Sequence, residues 1–214
     1  MPTETAHRPV HLVAAEAGSD RVPEMAGALH VGHRTVLAHT LAPGAGARTG
    51  DAGELELLRE ELDLARSAAR AVLADDGVLL LADARASMVV PELMRILLDE
   101  QGMPWDEAWA RVRGVTFTRA GSPGDQPGPL WPAALLEEEC PRTLEILYEI
   151  NRRHLDEADE RWPGDVDHRR NVSLFREGDV KRLRLGALAI VGAGRVEMAK
   201  PWEGPAAEIL ADLR

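Results

Sequence analysis

Val78-Leu79-Leu80-Leu81-Ala82 is followed, after Asp83-Ala84-Arg85-Ala86-Ser87, by Pro91-Glu92-Leu93-Met94-Arg95-Ile96-Leu97-Leu98-Asp99. The first run is short, wholly apolar and bounded by the turn signal Asp75-Asp76-Gly77, the pattern of a strand buried on both faces of a parallel sheet. A buried parallel strand requires helices to cover it. The second run supplies one, with proline in the first turn where a missing N–H costs nothing. Trp105 to Arg111 supplies a further helix, and Val112 to Thr118 is a second strand candidate. The expected fold is α/β, a partial Rossmann-like layered fold with a mostly parallel sheet flanked by helices.

Working outward, Leu55, Leu58, Leu62, Ala65, Ala69 and Val72 are spaced by three and four, which predicts one long amphipathic helix from Glu54 to Asp75. Upstream, Pro9 to Val13 and Ala28 to Leu37 have the composition of short strands forming a hairpin or sheet edge, and Ala42 to Gly53 reads as a Gly-rich loop. The chain therefore divides into an N-terminal segment, 1–52, and an α/β domain, 53–214, expected to form one compact unit. Downstream, a Gly/Pro-rich loop from Gly121 to Pro132 leads into a helical region from Ala133 to Arg161, stopped by Pro163-Gly164. A short helix from Val166 to Arg170, a strand from Lys181 to Val191 and a helix from Pro205 to Leu213 complete the reading.

The 214 residues carry 36 acidic and 25 basic side chains, a net charge of −11. That balance argues against nucleic acid, whose binding rests on clustered Lys and Arg. No apolar run approaches the roughly 20 residues that span a bilayer, and the N-terminus lacks a secretion signal. No membrane association and a cytoplasmic location are expected. The single cysteine, Cys140, cannot form an internal disulfide and reads as a buried structural thiol. Five of the seven histidines, including His30 and His33, fall in the first forty residues. Their spacing puts them on opposite faces of a strand, so no metal site is expected.

Pro91 to Asp99 together with Trp105-Asp106-Glu107-Ala108-Trp109 resembles the α-glucan phosphorylase family, whose text at this point reads PELMRIL and then WDxAW. Pro141-Arg142-Thr143-Leu144-Glu145-Ile146-Leu147-Tyr148-Glu149-Ile150-Asn151, then Pro163-Gly164-Asp165, Glu177-Gly178 and Val180-Lys181-Arg182, continue the likeness in order to the C-terminus. The resemblance implies part of that family's N-terminal half, truncated before the half that holds pyridoxal phosphate, so no such cofactor is expected. It also implies a substrate-side loop, Asn-Asp-Thr-His-Pro-Ser, that here reads Ala82 to Ser87. Its histidine is Arg85. A second family histidine, in Tyr-Thr-Asn-His-Thr, becomes Ala120; a third becomes Ala187; and the His-Ala-Val-Asn-Gly loop after the last strand becomes Gly194 to Met198.

Arginine offers a planar fork for carboxylate or phosphate rather than a fit to sugar hydroxyls. The expectation is thus a phosphorylase-like protein without glucan phosphorylase activity, repurposed to bind a small organic ligand in bacterial specialised metabolism. Asp83, Arg85, Ser87, Thr118 and Arg119 would lie at strand C-terminal ends, where open α/β sheets bind ligands, and Trp202 could line the same surface. The competing reading of the arginines is surface ion pairing. Alternatives for the whole chain are an enzyme of different chemistry, with Asp83 as base, or an interaction subunit. Trp105, Trp109, Trp131 and Trp162 read as packing anchors and His154 as a satisfied, partly buried histidine. Apolar surface left uncovered points to a homodimer.

Overall fold

The computed structural model describes residues 9–14, 28–31, 34–40, 51–120 and 130–198. Its main sheet holds β1 (Val10–Ala14), β2 (Ala28–Val31), β3 (Arg34–Thr40), β4 (Val78–Leu81), β5 (Thr116–Ala120) and β9 (Arg195–Met198), in the order β2-β3-β1-β4-β5-β9. All neighbours run parallel except the β2–β3 hairpin at one edge. The N-terminal segment thus contributes three strands to the sheet that contains β4. A small antiparallel sheet joins β6 (Leu130–Pro132), β8 (Arg182–Arg184) and β7 (Phe175–Arg176).

The helices are α1 (Asp51–Ala74), α2 (Val89–Arg95), α3 (Trp105–Val115), α4 (Ala133–Glu139), α5 (Pro141–Arg161), α6 (Val166–Val172) and α7 (Leu185–Gly192). A 3-10 turn, Arg85–Met88, leads into α2, and a wider π turn, Ile96–Glu100, extends it until Gly102 breaks it at φ +65°. Glycine is the usual helix terminator at positive φ because it lacks a Cβ to clash there. The α/β architecture read from the sequence is the one observed.

α2 is buried on every side, with Val89, Val90, Leu93 and Met94 fully enclosed. Its chief neighbours are α1, α3, α5 and α7 rather than strands. PELMRIL is therefore the centre of a helical layer, which explains why its apolar residues show no single stripe. Even its charged members are compensated internally: Glu92, 3% exposed, is held by Arg95 at 2.8 Å.

Several element boundaries differ from the sequence reading. Val112 to Val115 belong to α3, because Ala108, Val112 and Val115 recur at helical spacing on its buried side, and β5 begins only at Thr116. Lys181 to Val191 is not one strand: three residues pair as β8 and the remainder is α7. A continuous apolar run carries no period, and here Leu185, Leu188, Ala189 and Gly192 are buried at helical spacing. Gly194 to Met198 is largely strand β9 rather than a loop. The helical region from Ala133 splits at Cys140, where φ −149° and ψ 63° interrupt it before Pro141 restarts it.

Cys140 is buried, as the lone thiol was expected to be. His154 is half-buried, and loss of hydration lowers its pKa below the ordinary value. Trp131 is enclosed in the core, and Trp105 and Trp109 pack against it. Trp162 is not a packing anchor. It is 43% exposed just past the end of α5, with its ring 4.1 Å from that of His168. The helix expected at Pro205 to Leu213 and the strand-spaced His33 lie outside the described residues.

Candidate functional site

The parallel strands lie in the order β3-β1-β4-β5-β9, so the chain leaves β1 toward one edge and leaves β4 toward the other. In such sheets the crevice beyond the C-terminal ends of the two diverging strands is the preferred ligand position. β1 and β4 end there together, closed by the Ala82 N–H donating to the Val13 carbonyl at 2.9 Å. The next residues are Asp83 to Ser87. Their position at this divergence could be resolved only by the strand order.

Each polar side chain of the turn has a defined task. Asp83 Oδ1 accepts from the Ala86 N–H at 3.0 Å and stabilises the start of the 3-10 turn. Ser87 Oγ, fully buried, donates to the Leu185 carbonyl at 3.1 Å and ties the turn to the start of α7. Arg85 Nη1 donates to Glu61 Oε1 at 2.6 Å, and the guanidinium lies 5.4 Å from the centroid of the Trp131 ring. Trp131 Nε1–H donates to the other oxygen, Glu61 Oε2, at 2.8 Å. Glu61 is thus gripped by an arginine and an indole, one on each carboxylate oxygen.

Glu61 is 1% exposed. Burial pushes its carboxyl up to about 7, while the charge and hydrogen bond of Arg85 and the indole N–H of Trp131 pull it back; Asp83 adds a smaller upward push. Glu61 is absent from the residues singled out in the sequence, yet it left a trace. It sits between Leu58 and Leu62 on the buried stripe of α1, and an acid inside an apolar stripe requires a partner.

Arg85 answers that requirement, and its ion pair lies inside the molecule, not on the surface that the competing reading assumed. One N–H of Arg85 bonds Glu61, out of the five a guanidinium carries. Its side chain remains 25% exposed. A cation held between a carboxylate and an aromatic face is pre-oriented toward any polar or anionic group placed above it.

Thr118 is buried and in register with Leu81, which places the end of β5 beside the end of β4. Arg119 follows with its backbone opposite Glu197 of β9; its side chain is outside the described part of the structure, and Trp202 lies outside the described residues altogether. Asp83, Arg85, Ser87 and Thr118 are therefore gathered at one end of the sheet. Among the described residues, no group of three His, Cys, Asp or Glu is placed to hold a metal ion. No helix among them is long and apolar enough to cross a membrane.

Residues 56–199 match the family model described as carbohydrate phosphorylase. The chain belongs to the carbohydrate phosphorylase family. It is 37% identical over 122 residues to the brain form of glycogen phosphorylase from Rattus norvegicus and 43% identical over 125 residues to the human muscle form. Each match takes in 57% of this chain and only 14–15% of the relative. The resemblance read from PELMRIL and its neighbours is thereby established, and the matched part includes both Glu61 and the Asp83 to Ser87 turn.

Phosphorylase family membership implies pyridoxal phosphate, and the described residues do not fit it. Lys181, the lysine among them, is ion-paired with Glu177 at 3.0 Å and lies over the rings of Tyr148 and Phe175. That surface belongs to the loop before β8, and its lysine is committed to Glu177 and two aromatic rings.

Proposed function

We propose that this chain is a phosphorylase-family α/β domain that binds a small organic ligand at the β1/β4 divergence and does not itself carry out glucan phosphorolysis. The observation that carries this reading is the engagement of Arg85 by buried Glu61 and Trp131. It converts the turn where the family resemblance places a sugar-cleft histidine into a fixed cationic corner. A guanidinium in that corner favours a carboxylate or phosphate over neutral hydroxyls. Thr118 adds a hydroxyl at the neighbouring strand end, and Arg119 and Trp202 are proposed to complete the site.

The test pairs two assays on the full chain. Glucan plus inorganic phosphate should yield no glucose 1-phosphate, with or without added pyridoxal phosphate. Isothermal titration with small mono- and dicarboxylic acids should detect a ligand whose affinity drops at least tenfold in Arg85→Ala while far-UV circular dichroism stays unchanged. Production of glucose 1-phosphate, or binding indifferent to Arg85→Ala, overturns the proposal. Subunit number by light scattering tests the accompanying proposal of a homodimer.

An enzyme with Asp83 as general base receives less support, because that carboxylate already accepts the Ala86 N–H. Glu61 has a pKa in the range useful for proton transfer, yet it is sealed beneath Arg85.

A further inference from the structure

At the opposite end of the same strands, before β5 and β9 begin, α3, α5 and α7 enclose a recess of about 230 Å³. It is smaller than the roughly 300–1,000 Å³ of clefts for drug-sized ligands, and it opens into a wider cleft of about 880 Å³ lined in part by Gly114, Phe117 and Arg195. Apolar walls come from Trp105, Trp109, Ile150 and Ile190. Ile190 is 44% exposed despite its size.

Charges at this recess are unequal in their commitments. Arg153 is tied to Glu149 at 2.7 Å and to Asp106 at 2.5 Å, and lies 5.1 Å from the Trp105 ring. Arg152 in the outer cleft is likewise held by Glu149 and Asp156. Arg113 and Glu157 line both the recess and the cleft, and each affects the ionisation of His154, which also lines the recess. Both are exposed at the rim, and neither forms an ion pair or side-chain hydrogen bond among the described residues, so both are open to a ligand. Among the described residues, the indole nitrogen of Trp105 is buried without a hydrogen-bond partner. Buried donors of this kind are rare in folded proteins and call for an acceptor.

We infer that this recess binds a small zwitterion, an α-amino acid with an apolar or aromatic side chain. Its carboxylate would meet Arg113 and its ammonium Glu157, while the side chain occupies the space between the two tryptophans, Ile150 and Ile190. A zwitterion can engage both charges in one pose, whereas a singly charged ligand engages one and a neutral sugar neither. Burial lowers the pKa of the half-buried His154. The site is independent of the β1/β4 divergence and stands whether or not a ligand binds there.

The probe is L-phenylalanine, titrated into the full chain by calorimetry, with tryptophan fluorescence as a second readout. Phenylacetate, which lacks the ammonium, and phenethylamine, which lacks the carboxylate, serve as controls. Phenylalanine should bind with each control at least tenfold weaker. Arg113→Ala should erase the preference over phenethylamine, and Glu157→Gln the preference over phenylacetate, both with unchanged circular dichroism. Arg85→Ala should leave all three affinities untouched. No heat and no fluorescence change with millimolar phenylalanine or L-leucine overturns the inference, as does phenylalanine binding that survives Arg113→Ala. If Arg85→Ala rather than Arg113→Ala removes binding, the ligand belongs to the strand-end turn, and this inference fails while the proposed function stands.

Discussion

Replacing Glu61 by glutamine separates the two opposing effects on the buried carboxyl. Glutamine has the shape and neutrality of the protonated acid, so the stability gap between Glu61→Gln and the parent isolates the ionisation of one group. The folded-state carboxyl is raised from 4.5 to about 7, and each unit is worth about 1.4 kcal/mol. The folded protein therefore binds a proton that the unfolded chain releases between those pH values. The stability due to this proton is complete below about pH 4.5 and is lost as pH rises through about 7. Relative to the glutamine variant, the parent should lose about 3 kcal/mol between pH 4.5 and pH 8.5. Urea denaturation followed by tryptophan fluorescence, at half-unit pH steps, measures the gap directly. A gap that stays flat would refute the reasoning, and a parent that gains on the variant as pH rises would show that Arg85 outweighs burial.

The remaining predictions concern packing and reactivity. Gly194→Ala would drive a Cβ into the backbone carbonyl of Arg113, a group that cannot swing aside; a loss of about 1–3 kcal/mol or more is expected in thermal or urea melts, since overpacking forces the backbone to shift. The Cys140 thiol is pushed up to about 11 by burial, so native protein at pH 8 should react with a disulfide reagent far more slowly than the urea-unfolded chain; equal rates would contradict its placement.

Much of the candidate site was legible in the chain because family text marks the turn, and because polar residues just after an apolar strand must sit at a strand end. Glu61 was missed for a physical reason. Periodicity counts apolar positions, and a charge inside the stripe registers as a gap rather than as a partner to something 24 residues away. Arg113 and Glu157 escaped likewise, because α3 and α5 approach each other only in the folded helical layer, and neither residue is unusual within its own helix.

The sequence by itself determined the α/β class, the buried strand at Val78 to Leu81, the long helix α1 and the family, since alternation of apolar runs and turn residues is local and the family motifs are collinear. It could not determine whether Lys181 to Val191 is strand or helix, because a continuous apolar run satisfies either period until neighbours choose one. Nor could it place Asp83 to Ser87 at the divergence of β1 and β4. That follows from strand order, which depends on which distant segments pair, and pairing is decided by the burial available to the whole sheet. The same long-range packing turned Arg85 from an apparent surface cation into the partner of a buried acid.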